Sequence, residues 1–148
     1  MKNKGFVLRD LIIIITIPLV LALIIYAVYY NFKEDMKIED ARGIAQAVEV
    51  AADYYYKNYI LRPDEYAETL FDLSDPSIHL RSFIVGRKPE HGQVYIRPID
   101  EIIAEMSFAV YYNEYCAIKY YKEPKFTIKK MKPEKCVLDV TKLNVDNN

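Results

Sequence analysis

Residues 5–30 read GFVLRDLIIIITIPLVLALIIYAVYY, and this stretch decides the architecture of the chain. From Leu11 to Tyr30 no side chain is charged, and only Thr16 and Pro18 interrupt the apolar run. A helix rises about 1.5 Å per residue, so a helix of this length spans about 30 Å, the thickness of the hydrocarbon core of a bilayer. The stretch therefore predicts a membrane-spanning helix.

The flanking charges predict the orientation of this helix. Lys2, Lys4 and Arg9 precede the apolar run, so the positive-inside rule leaves the N-terminus in the cytoplasm and sends the rest of the chain across. A cleaved secretory signal fits poorly, because the run is too long and ends in tyrosine-rich sequence without a small-x-small site. We expect the segment to stay in the membrane, at least initially.

Past the span, a helical period continues with an amphipathic pattern. Small and apolar residues at three- and four-residue spacing predict one buried stripe: Ala41, Ile44, Ala45, Val48, Ala51, Ala52, Tyr55 and Tyr59. Arg62-Pro63 ends the pattern, so we expect one helix from Phe6 to about Tyr59. Pro18 has no N–H for the carbonyl of Ile14, so the helix should kink or loosen there.

The rest of the chain predicts an α+β fold, in which the long N-terminal helix packs on a small antiparallel β-sheet. A short helix is expected from Asp64, with Ala67, Leu70 and Phe71 on its inner face, and a turn at 74–77. Strands are predicted at 78–85 and 93–97, in a hairpin of 106–112 and 114–121 around Asn113, and near 136–141.

Charge is nearly balanced overall but unevenly distributed. The formal net charge is −1, so no global field favours nucleic acid. Residues 33–77 hold eleven acids and five bases, whereas residues 117–135 hold seven lysines and two glutamates. The lysines at 125–135 suit DNA, acidic polysaccharide, the acidic flank of another subunit or plain solvation, and no stacking pattern separates these alternatives.

Catalytic signals are lacking in the sequence. It contains no glycine-rich phosphate loop, no metal-ligand cluster and no nucleophile near a histidine. His79 and His91 are solitary, and each is expected to be an ordinary surface or strand residue. The sequence therefore predicts a protein that is not an enzyme and that binds neither a cofactor nor a metal.

The two cysteines, Cys116 and Cys136, are expected to form a disulfide, because the domain that carries them is predicted to lie outside the cytoplasm. Closing a loop of this size contributes about 3 kcal/mol on the chain-entropy estimate. Two free buried thiols are the alternative.

The start of the chain resembles a known targeting signal. Lys4-Gly5-Phe6-Val7-Leu8-Arg9-Asp10-Leu11, followed by the apolar run, is similar to the class III prepilin signal of type IV pilins and of the pseudopilins of type II secretion. The resemblance implies that a prepilin peptidase cuts after Gly5 and methylates Phe6. It implies a leader at 1–5, a transmembrane and filament-core half of the helix at 6–32, and a pilin-like globular domain at 33–148.

Asp10 occupies the position where the family usually carries a glutamate. In the family this acid is thought to meet the N-terminal amine of a neighbouring subunit during assembly, and a carboxylate in lipid is costly unless it is paired. A pair with Arg9 at the membrane interface is the alternative. Arg9 directly before the acid, and Pro18 about two turns earlier than the family's usual proline, point to a divergent pilin, a minor pilin or a pseudopilin.

The resemblance implies a structural subunit of a type IV pilus or pseudopilus. Its expected partners are copies of itself, related pilins, the prepilin peptidase, an inner-membrane assembly platform and, before assembly, membrane lipid. The precursor would lie in the inner membrane with its domain in the periplasm, and the assembled form in an extracellular pilus or a periplasmic pseudopilus. The alternative is a single-pass anchored periplasmic binding protein that is never processed.

Overall fold

The computed structural model describes the backbone of residues 4–60, 69–99 and 103–143, and the side chains of 7–58, 69–99 and 103–143. The chain divides into two units, residues 1–36 and 37–148. The helices are α1 (Lys4–Tyr55), α2 (His79–Ser82) and α3 (Val140–Leu143), with a π-helical segment at Tyr56–Ile60 and a 3-10 turn at Pro133–Lys135. The strands are β1 (Thr69–Asp72), β2 (His91–Pro98), β3 (Ala104–Tyr112), β4 (Tyr115–Lys119) and β5 (Thr127–Lys130).

The first unit contains the N-terminal part of α1. Its described residues are α-helical throughout, Pro18 included, so the proline does not break the helix. The expected bend of the helix axis at Pro18 stays a prediction. Thr16 donates its hydroxyl to the carbonyl of Ile12 at 2.7 Å, so this polar side chain is satisfied within the helix itself.

The second unit is a helix packed on a sheet, which confirms the predicted α+β class. The sheet is an antiparallel meander in the order β1-β2-β3-β4-β5. The part of α1 from Lys37 onward packs on one face of this sheet. The core between them consists of helix residues Ile44, Ala45, Val48, Ala51, Ala52 and Tyr56, strand residues Val94, Ile96, Phe108, Val110 and Ala117, and Leu73, Leu80 and Ile84 from the connections.

The buried stripe of the helix follows the predicted pattern with one change. The predicted residues from Ala41 to Ala52 are buried, but the stripe continues to Tyr56, which is 1% exposed, rather than to Tyr55. Tyr56 lies one i+4 step beyond Ala52, which keeps it on the same face. Tyr55 is half-buried beside that face, where its ring meets Phe71 edge-on at 5.5 Å. The side chain of Tyr59 lies outside the described residues.

The hairpin around Asn113 is confirmed. β3 and β4 pair with Tyr112 opposite Tyr115, which leaves Asn113 and Glu114 as a two-residue turn. Both turn residues have positive φ, 49° and 74°, as a type I′ turn requires. The strand predicted at 93–97 is also confirmed as part of β2.

The strand predicted at 78–85 is wrong, because this segment contains α2. Asp75 accepts a hydrogen bond from the backbone N–H of Ser77 at 2.8 Å and turns the chain. Leu80 and Ile84 are then buried at i and i+4, while Ser82 is exposed. A strand would have placed all three residues on one face, so the period is helical.

The helix predicted from Asp64 is wrong where it can be checked. Leu70 and Phe71 lie in β1, with Phe71 opposite Val94 of β2. Asp64 and Ala67 lie outside the described residues. Four residues of alternating burial are too short a pattern to distinguish a strand from a helical turn in the sequence.

The strand predicted near 136–141 is also wrong. The fifth strand is β5, which pairs with β4 through Ile128 opposite Ala117. Because β5 is a polar edge strand with a single apolar residue, it lacks the alternation that marks a half-buried strand. The chain after β5 crosses the sheet face opposite the packed part of α1, called the outer face below, and α3 is the last described element there.

Candidate functional site

The first unit exposes apolar surface along its whole described length. Between Val7 and Phe32 the large apolar side chains are 46–68% exposed. The most apolar 18-residue window has a mean hydropathy of 3.1, and none of it is buried. By length and composition this helix can cross a membrane. Covering this helix with lipid or protein is favourable by about 25 cal/mol for each Å² of apolar surface removed from water.

The predicted processing and assembly residues lie at the start of α1. The backbone of Gly5 and Phe6 belongs to its first turn, while the side chain of Phe6 lies outside the described residues. Asp10 is partly exposed and follows Phe6 by four residues, so the two positions share one side of the helix. The structure therefore places the predicted new N-terminus one helical turn from the carboxylate.

The two cysteines form the predicted disulfide. Cys116 of β4 and Cys136 are both fully buried, with their Cα atoms 5.6 Å apart. They belong to a second apolar cluster on the outer face, with Tyr95, Ala109, Tyr111 and Leu138. Beyond the disulfide, the backbone N–H of Leu138 donates to Oε1 of Gln93 at 3.0 Å. The disulfide and this cluster hold the C-terminal segment against the sheet.

Apart from Lys122, the lysines of the disulfide-closed loop fall into two groups. Lys119 pairs with Glu49 of α1, and Lys130 lies 3.3 Å from Glu114. The second group is exposed, and its members form no ion pair with any residue in the described ranges: Lys125, Lys129, Lys132 and Lys135. The structure thus separates structural lysines from solvated ones, a division that the sequence did not show.

Glu114 joins three elements of the second unit. Its carboxylate accepts a hydrogen bond from Nζ of Lys37 at 2.6 Å and contacts Lys130, so the start of the packed helix, the β3–β4 turn and the end of β5 meet there. Hydrogen bonds from Lys37 and then Lys130 lower the pKa of this carboxyl below its ordinary value. Partners separated by 77 residues in sequence leave no local signal that would predict this cluster.

A cleft on the outer face was also missed by sequence reasoning. It has a volume of about 280 Å³ and is lined by Tyr95, Glu105, Ser107, Tyr120, Tyr121, Lys122, Glu123, Lys142 and Leu143. These residues come from β2, β3, the segment after β4, and α3. Only the pairing of the strands and the return of the C-terminal segment bring them together.

The histidines lie in ordinary structural positions. His79 in α2 packs against the ring of Phe83 at 5.0 Å, and His91 begins β2. Within the described ranges, no group of three or more His, Cys, Asp and Glu residues is placed to hold a metal ion.

Comparison of the chain with protein-family models, with curated proteins and with solved structures found no match.

Proposed function

We propose that this protein is a structural subunit of a type IV pilus or of a related pseudopilus filament. It enters the inner membrane as a precursor with a cytoplasmic N-terminus and a periplasmic domain. A prepilin peptidase then cuts after Gly5, and the mature chain assembles through its N-terminal helix. This helix exchanges lipid neighbours for helices of other copies.

The observation that carries the proposal is the contrast between the two parts of α1. From Lys37 onward the helix buries an alanine-rich stripe in the core of its own unit, whereas the side chains of residues 7–32 are uncovered by the described chain. An anchor needs one apolar stretch of this kind. A filament subunit needs the same stretch, because packing against equivalent helices keeps it away from water after it leaves the bilayer.

The start of α1 is suited to the predicted processing. The first N–H groups of a helix have no partner within the helix, so opening the turn that contains Gly5 and Phe6 breaks few hydrogen bonds. Cleavage would create a charged amine at Phe6, and Asp10 is the acidic residue nearest to it in the sequence. Neutralising both charges lowers the cost of holding them in an apolar filament core.

The test is intact-mass and N-terminal peptide mass spectrometry of the protein from a cell envelope with an active prepilin peptidase. We expect a chain that begins at methylated Phe6. A Gly5→Leu variant should keep Met1 and stay in the membrane fraction. A wild-type chain that still begins at Met1, in cells where other prepilins are cut, would show the unprocessed anchored protein instead.

Assembly is tested separately by filament recovery after shearing. Asp10→Asn should be cut by the peptidase but excluded from filaments. Asp10→Glu should assemble, because it keeps the negative charge on a longer side chain. Asp35→Asn, an acid outside the apolar stretch, is the matched control and should assemble normally. Normal assembly of Asp10→Asn would remove the proposed role of the carboxylate.

A further inference from the structure

Residues 37–40 of α1, called the entry turn below, precede the hydrophobic core of the second unit. Lys37 is the first residue of this unit, and the side chains of the entry turn are half-buried or exposed. Full burial begins in the next turn with Ala41, and the helix residues of the core start at Ile44. Apolar packing therefore stabilises the entry turn less than it stabilises the rest of the packed helix.

Two ion pairs join the entry turn to connections outside α1. Nζ of Lys37 donates to the carboxylate of Glu114 in the β3–β4 turn at 2.6 Å. The guanidinium group of Arg87, which precedes β2, donates to Asp40 at 3.2 Å. The side chain of Lys37 is 17% exposed, whereas those of Asp40 and Arg87 are 41% and 67% exposed. The Lys37 pair is the stronger of the two, because water and salt screen it less.

The β3–β4 turn holds its glutamate in an unfavourable backbone conformation. Glu114 has a φ of 74°, in the left-handed region that disfavours residues with a Cβ atom. Glycine is the favoured residue at this second position of a type I′ turn, whereas Asn113 suits the first position. The contacts of the Glu114 carboxylate with Lys37 and Lys130 give a physical reason for a glutamate there.

Gly43 lies between the entry turn and the core, inside the continuous helix α1. Glycine weakens a helix interior, because its backbone has more conformational freedom than that of alanine. Outside the neighbouring residues and the backbone of the same helix, no described atom lies within 4 Å of the position of a Cβ at Gly43. A bend at this residue would therefore move the entry turn and leave Ile44 and Val48 in the core.

We propose that Glu114, Lys37 and Lys130 form an ionic lock that holds the entry turn against the sheet and opens through a bend at Gly43. In the closed state the second unit holds α1 from Lys37 onward, and in the open state only from the core residues onward. High ionic strength favours the open state, because it screens the carboxylate from both ammonium groups. The lock does not depend on the proposed processing or assembly, since all its residues lie in the second unit.

Distances between pairs of nitroxide labels test the lock in the full-length chain in lipid nanodiscs. A label at Glu39→Cys reports on the entry turn, and a label at Gln46→Cys reports on the helix beyond Gly43. Each is combined with a label at Lys129→Cys in β5, and all three native side chains are exposed. Both native cysteines are in the disulfide, so the labels attach to the introduced thiols. Pulsed dipolar EPR gives the distance distributions.

The distance from residue 39 to residue 129 should respond to the lock. Glu114→Gly should raise the ratio of open to closed entry turn about fivefold, which corresponds to about 1 kcal/mol. Lys37→Met should have the same effect, whereas Lys37→Arg keeps the charge and should stay closed. About 1 M NaCl should open the otherwise native chain and change Glu114→Gly less. The distance from residue 46 to residue 129 should stay the same throughout.

Thermal unfolding and two further variants separate the lock from a general loss of stability. Glu114→Gly relieves the turn, so its Tm should equal or exceed that of the native chain although the entry turn opens. Gly43→Ala in the same background should partly close the entry turn, because alanine stiffens the helix. Asp53→Asn is the matched control, since its ion pair with Lys57 at 2.8 Å lies within α1, and it should leave both distances unchanged.

Two results would overturn the proposal. The first is that the distance from residue 39 to residue 129 has the same distribution in the native chain, Glu114→Gly and Lys37→Met. The second is that Glu114→Gly broadens both distances alike and lowers the Tm, which would make Glu114 an ordinary stabilising contact of the whole unit.

Discussion

Replacing both cysteines by alanine should destabilise the second unit by about 3 kcal/mol. The bond joins residues 20 apart, and closing such a loop lowers the entropy of the unfolded chain by about 11 cal/mol/K. For a unit of this size, each kcal/mol shifts the Tm by about 4 °C, so we expect a fall of roughly 12 °C. Reduction of the wild type should give a similar fall, because it removes the covalent link and keeps both sulfur atoms in place.

The loss of stability should also be visible in the hydrogen exchange of particular backbone amides. Those of Leu138 and Asp139 are bonded to side chains of Gln93 and Tyr120, so their hydrogen exchange depends on the C-terminal segment staying docked. We expect their protection in the double variant to fall well below that of Val110 in β3, which exchanges through wider unfolding. Unchanged Tm and unchanged protection would refute the reasoning, because packing alone would then hold this segment.

Three further predictions concern two glycines and one carboxylate of the second unit. Gly92→Ala should cost about 1–3 kcal/mol in denaturant unfolding, since the new Cβ would lie 2.7 Å from the carbonyl oxygen of Ala109; a neutral result would mean that β2 and β3 can move apart. Gly43→Ala, where no described atom beyond the neighbouring residues and backbone of the same helix lies within 4 Å of the new Cβ, should instead stabilise the helix by about 0.5–1 kcal/mol, and a loss would contradict this. Because the pKa of Glu114 is lowered in the folded state by Lys37, its contribution is present above the ordinary value of 4.5 and lost as pH falls through the lowered one. Glu114→Gln should therefore flatten the dependence of Tm on pH between about 5 and 3, and an identical slope in both proteins would show that the ion pair adds nothing.

Sequence reasoning succeeded where one element repeats a pattern many times. The helical stripe and the hairpin around Asn113 could be predicted, since the first has several turns of periodicity and the second has two strands beside a turn-forming residue. It failed at α2, β1 and β5, which are four residues each. In pieces this short, packing against the rest of the sheet outweighs local propensity.

The candidate sites likewise include residues that could be predicted from the sequence and residues that could not. Gly5, Phe6 and Asp10 are close in sequence, so a linear signal was sufficient to single them out. The cleft could not be predicted, because its two glutamates belong to different segments and have no shared pattern.

By itself the sequence determined that an apolar helix precedes a small α+β unit, because hydrophobicity and period are local properties of the chain. The disulfide was predicted as well, because the domain that carries both cysteines was expected to lie outside the cytoplasm. The tertiary structure alone decided that the C-terminal segment crosses the outer face instead of joining the sheet. It also decided which lysines are paired and which tyrosines line a cleft, because these contacts join residues far apart in the chain, whose proximity depends on the strand register.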